Sequence, residues 1–157
     1  MKKQMIFIPC FFVGLLSAFT GLAQEYTKRG EHNMTINQNH QLVLRLLGEV
    51  FGRHSISVID ELYDSDVVDH SAFPEQAPGV VGIKSAINGF FELFDDLNIT
   101  VEDIIAEKDK VATRETWRAI HKSSGKDVSG TIIHIFYIRD GRITDEWSRG
   151  WDWLENP

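Results

Sequence analysis

The residues of this chain best equipped to move a proton are a few histidines and carboxylates. His134 stands in the run Ile132-Ile133-His134-Ile135-Phe136-Tyr137-Ile138. An imidazole among large apolar side chains loses water, which disfavours its charged form. A neutral ring there can donate one hydrogen bond to a developing enolate and accept another, or it can be a core histidine satisfied by its neighbours. Asp145, Glu146 and Asp152 follow in the next segment. An acid buried near His134 would have its pKa raised toward that of a useful general base. His70 follows Asp69 at the end of a short extended piece, where successive side chains point to opposite faces. His121 closes a strand just before Ser123-Ser124-Gly125.

Larger side chains suggest what such a centre would hold. Arg114, Thr116 and Arg118 share one face of a strand, with Glu115 and Trp117 on the other. An arginine facing an apolar interior would need a carboxylate partner or an anionic substrate, and on a surface it would join cross-strand ion pairs. Trp147, Trp151 and Trp153 could line a pocket for a flat hydrophobic ligand, or serve as core and dimer contacts. Phe91 belongs with them as a candidate substrate contact.

Other chemistry finds no motif. The sequence has no G-x-S-x-G elbow, no G-x-x-x-x-G-K-[ST] loop, no G-x-G-x-x-G and no H-E-x-x-H. One cysteine excludes a disulfide framework and a multi-cysteine metal site. A formal charge of −7 without a basic stripe argues against nucleic acid as a partner. No metal and no cofactor is expected.

The elements that must position these residues follow from periodicity. Leu42, Val43, Leu46, Leu47, Val50 and Phe51 form one helical stripe, and Gly52 is placed to end it. Ile56, Ile59, Leu62 and Tyr63 form a second, shorter stripe, broken at Asp64-Ser65-Asp66. Val67 and Val68 suggest a short strand. Ile83, Ile87, Phe90, Phe91 and Phe94 make a third helix whose broad apolar face needs a sheet beneath it. From Leu97 the period becomes two. Turns are expected at Lys108-Asp109, at 123–126 and at Asp140-Gly141, the last a tight hairpin. Consecutive strands without intervening helices cannot be parallel crossovers. The fold class is therefore α+β, a curved antiparallel sheet with three N-terminal helices on its concave face. Both faces of 132–138 are apolar, so something must cover the outer one. A second copy of the chain is the economical candidate, giving a homodimer through the outer sheet face.

Residues 1–23 read as a secretory signal: Lys2 and Lys3, an apolar run from Met5 to Phe19, then Gly21 and Ala23 at the −3 and −1 positions. Cleavage after Ala23 predicts a periplasmic or secreted protein with no membrane association after cleavage. Residues 24–36 are polar and read as a flexible lead-in, leaving 37–157 as one domain.

Three stretches carry a resemblance to a known family: VVDHSAFPEQAPGVVGIKSAINGFF, LNITVEDIIAEKDKVATRETWRAIHKSSGKDVSG and IIHIFYIRDGRITDEWSRGWDWL. Their order and spacing over about 55–157 resemble the SnoaL-like polyketide cyclase or ester cyclase group of the NTF2-like superfamily. The resemblance implies a homodimeric cone with a deep apolar pocket, and ring closure by aldol chemistry without metal or cofactor. It matches the cyclases' strand histidine to His134 and their catalytic aspartate to Ser148, a departure. Asp152 matches a second acid of the closing segment, and His121 matches a G-x-H position in which Ala119 replaces the glycine. On that basis His134 would stabilise the oxyanion, Asp152 or Asp145 would move the proton, and His70 would orient the substrate. His121, Arg114, Trp117, Trp147, Trp151 and Phe91 would contact a small hydrophobic carbonyl compound. A non-catalytic binding module, or a dehydratase or isomerase on the same scaffold, is the alternative.

Overall fold

The computed structural model describes residues 24–25, 27–28 and 35–151. The chain divides into two units, Met1–Met34 and Thr35–Pro157. In the first, 24–25 and 27–28 are helical. The expected signal, Asp152 and Trp153 lie outside the described residues.

In the second unit helix α1 spans 35–53. Its stretch Leu46–Phe51 is π-wound, a wider turn that lets Leu46, Leu47 and Val50 all reach the core. A 3₁₀ turn, Ile56–Val58, leads into the single turn α2, Ile59–Leu62. Strand β1 then runs Tyr63–Asp69, longer than Val67-Val68 alone suggested. Helix α3 spans Gly79–Leu93. Phe94, expected on the helix, instead opens strand β2, Phe94–Glu107, and its side chain is buried. Strands β3, Lys110–His121, β4, Lys126–Arg139, and β5, Arg142–Arg149, complete the unit. Asp140 and Gly141 both have positive φ, 51° and 73°, as a tight hairpin of the expected type requires.

The strands form one sheet in the order β1-β5-β4-β3-β2. All neighbours are antiparallel except β1 with β5. That exception follows from chain order, because α3 and three strands separate the two and bring β5 back beside β1. The inner face carries Val111, Phe136, Ile138 and Ile143, which join Val43, Leu46, Leu47, Val50, Ile59, Leu62, Ile83 and Ile87 in one buried core. Burying each such side chain contributes roughly 1.5–3 kcal/mol, so core packing holds the helices on the concave face. The outer face differs. Along β4, Ile132, His134, Phe136 and Ile138 are buried, whereas Ile133 is 50% and Ile135 40% exposed.

Candidate active site

Register decides which polar side chains meet inside the cone. Thr113 pairs with His134 and His134 with Ser148. One layer further along the same face, Phe136 pairs with Glu146 and Glu146 with Asp69. His134 and Glu146 are thus diagonal neighbours on β4 and β5, within reach of each other across the inner face. Both line a cavity of about 80 Å³. Leu46, Phe51, Phe90, Trp117 and Trp151 form much of its apolar wall, and Tyr63, Asp69, Ser71 and Ser148 add polar groups to those of His134 and Glu146.

Behind His134 lies Glu115, fully buried. Its carboxylate accepts from the Thr113 hydroxyl at 2.6 Å, the Trp117 indole N–H at 2.6 Å and His134 Nδ1 at 3.2 Å. Burial pushes the Glu115 pKa up, but the hydrogen bonds and the positive charge available at His134 outweigh it and hold the group below its ordinary value. Glu115 is therefore ionised and accepts only. The proton of a neutral His134 sits on Nδ1, and Nε2 is left as the ring's basic atom. In that tautomer Nε2 can accept a hydrogen bond, and the ring has no second N–H to donate.

Glu146 is the opposite case. Its Oε2 accepts from the Tyr63 hydroxyl at 2.7 Å. Burial pushes its pKa up to about 7, and the nearby Asp69 adds to the rise, against the pull of His134 and the Tyr63 hydrogen bond. Burial likewise raises the Tyr63 phenol, helped by the Glu146 charge, so Tyr63 stays a donor. One cavity thus holds a base backed by a carboxylate and a carboxylic acid that titrates near neutrality.

Of the expected site residues, His134, Trp117 and Trp151 line this cavity. Others require correction. Arg114 lies on the outer face and pairs with Asp103 at 2.6 Å; the strand places its side chain opposite Glu115 and Trp117, so it cannot enter the cone. His70 also lies outside. Its Nε2 is 3.0 Å from Asp145 and its ring stacks on Trp147 with centroids 3.9 Å apart. Asp145 and Trp147 alternate with Glu146 and Ser148 along β5, which sends them to the outer face; the His70 bond holds the Asp145 pKa below its usual value. His121 meets Ser124 in the exposed 122–125 turn. Phe91 packs against Phe51 and His54, while its neighbour Phe90 faces the cavity.

Sequence reasoning passed over Glu115, Tyr63 and Asp69 and ranked Glu146 below its neighbours. The signal was parity. Glu115 shares a face with Trp117, and Glu146 shares one with Ser148, the position matched to the cyclase aspartate.

The layout of helices against a curved open sheet is that of an NTF2-like cone. A family model described as SnoaL-like polyketide cyclase matches residues 41–150, and the chain belongs to that family. A candidate SnoaL-like polyketide cyclase from Jannaschia Sp. CCS1 has a similar structure, with a TM-score of 0.69 at 22% identity, covering 77% of this chain and 90% of that one. IdmH from Streptomyces antibioticus, a candidate polyketide cyclase, gives 0.65 at 26% identity, covering 73% and 93%. TsrD from Streptomyces laurentii gives 0.66 at 23%, covering 73% and 88%. Among curated proteins none matches the chain.

Proposed function

We propose that the protein binds a small hydrophobic carbonyl compound in the cone and performs acid/base chemistry on it through an enol. The observation that carries this reading is the pairing of His134 and Glu146 on one mostly apolar cavity wall. His134 Nε2 takes the proton from the carbon beside the carbonyl. The electron pair of that C–H bond forms the new C=C bond while the carbonyl π pair moves to the oxygen, which protonated Glu146 meets with a hydrogen bond and, in the enol, its proton. Tyr63 occupies the other Glu146 oxygen and orients it. Glu115 holds His134 in the tautomer the step needs and disperses the charge of the imidazolium. Aldol closure, dehydration and double-bond isomerisation all share this first step.

The test needs no knowledge of the final product. Simple ketones incubated with the protein in D₂O are expected to exchange their α-protons, followed by NMR, at a rate that His134→Ala reduces by about 10²–10⁴. Binding without exchange would instead favour the non-catalytic module. That second reading has one observation in its favour: Ser148 stands where the resemblance expects the cyclase aspartate, and its hydroxyl accepts from the Trp151 indole.

The working unit is a homodimer joined through the outer sheet face. The half-exposed Ile133 and Ile135 on β4, with exposed Ile105 on β2, support it. The purified protein is expected to have the mass of a dimer by light scattering, and Ile135→Glu that of a monomer; a monomeric parent would refute the dimer. The leader sends the chain out of the cytoplasm. N-terminal sequencing of protein exported by a bacterial host is expected to begin at Gln24, and retention of Met1 would count against cleavage.

A further inference from the structure

The chain leaves β5 at Gly150 and turns back into the cone. Gly150 has φ 108°, and a Cβ there would collide with the Thr131 carbonyl oxygen. Only glycine allows so close a crossing of β4. The next residue, Trp151, is consequently inserted against the cavity rather than left along the sheet edge. Its indole N–H donates to Ser148 Oγ at 2.7 Å. Its ring stands edge-on to Trp117, with centroids 5.2 Å apart, and lies 5.8 Å from His134 and 6.3 Å from Phe90. On the mouth side it meets Phe73, 6.5 Å away and half exposed. Trp151 therefore bridges the buried end of the cavity, at Trp117, and its opening, at Phe73.

The remaining space is small. An apolar cavity of roughly 150 Å³ admits benzene, and this one is about 80 Å³. The polar groups of the site are already at its wall, so a ligand reaching them has little room to extend past the indole.

We propose that Trp151, latched by Ser148, is a specificity-determining residue that restricts the site to short-chain carbonyl compounds. The proposal rests on the reading of the cavity as the ligand site. Truncating the indole lengthens the site toward the mouth, and each methylene newly buried is worth about a fourfold gain in binding.

Methyl ketones from butanone to decanone serve as probes, with binding followed by ligand-observed NMR and by tryptophan fluorescence. The native chain is expected to favour the shortest members. Trp151→Ala is expected to move the preference to ketones longer by two or more carbons, binding these about tenfold or more tighter than the native chain does. Trp151→Phe and Ser148→Ala, which keep most of the packing and remove the latch, are expected to shift it part of the way, and they carry the test if Trp151→Ala does not fold. Binding with an unchanged length preference in the folded variants overturns the proposal alone. No binding of any ketone to any of the four proteins overturns the ligand-site reading and the proposal with it.

Discussion

Replacing Glu146 with glutamine is expected to slow proton exchange by about 10²–10³ and, at pH 8, to stabilise the fold. The first effect follows from what the amide lacks. Glutamine still accepts from Tyr63 and offers an N–H to a substrate oxygen, but it has no transferable proton, and losing a well-placed donor to a developing oxyanion costs about that much. The native rate should also fall as pH rises through about 7, where Glu146 gives up its proton. The variant should lack that fall.

The second effect is linkage. The pKa of Glu146 is about 7 in the folded protein and 4.5 ordinarily. Below 4.5 the group is protonated in both states and costs nothing. Between 4.5 and about 7 the unfolded chain releases the proton and the folded chain keeps it, so stability falls as pH rises. Above about 7 the loss is complete, at most about 3 kcal/mol. Glutamine imitates the protonated acid at every pH. Urea denaturation at pH 5 and pH 8 should therefore show the native protein weakening while Glu146→Gln holds level. Parallel curves for the two proteins would mean that Glu146 is not held neutral by its surroundings. A residue whose replacement strengthens the fold and removes the activity is a mark of chemistry maintained against stability.

How far could this be read from the residues alone? The helices and hairpins could, because their signals are local: the i, i+4 stripe around Leu42–Phe51, the helix ending near Phe94, and Asp140-Gly141 with its two positive φ angles. Of Tyr63–Asp69 only the end at Val67-Val68 could, because the strand character of the rest comes from pairing with β5, which is remote in sequence. The site was half readable. His134 announces itself as a histidine in an apolar run, and Trp117 as a large indole in an alternating strand. Glu115 and Glu146 do not, because a carboxylate in an alternating strand looks solvated until its face is known. His70 and Asp145 show the converse. They make a good hydrogen-bonded pair, the kind of constellation a search for acid/base chemistry favours, and one residue of strand parity puts it on the wrong side of the sheet.

Glu115 is where structure and proposed chemistry are most tightly bound. Glu115→Leu leaves the Trp117 N–H without its acceptor, along with the donors of His134 and Thr113, at a position closed to bulk solvent. Breaking such a buried pair costs about 3–5 kcal/mol, a large share of the stability of a domain this size. The group is ionised in the fold because its pKa is held below 4.5, so its contribution is present above 4.5 and is lost as pH falls through the lowered value. The native protein thus weakens in acid through Glu115 and toward neutrality through Glu146, and its greatest stability should lie between. Glu115→Gln separates support from chemistry. The amide oxygen can take over from Oε2 and accept from Trp117. The amide nitrogen then replaces Oε1, facing Thr113 and His134 Nδ1. It can satisfy His134 only if Nδ1 gives up its proton, which moves that proton to Nε2. The variant should fold, at a cost of about 1–3 kcal/mol, and lose exchange activity by about 10²–10⁴ with the ring in the wrong tautomer. The ¹⁵N shifts of His134 report that tautomer directly, with Nδ1–H expected in the native protein and Nε2–H in Glu115→Gln. Activity lost without the tautomer change would reduce Glu115 to a packing role.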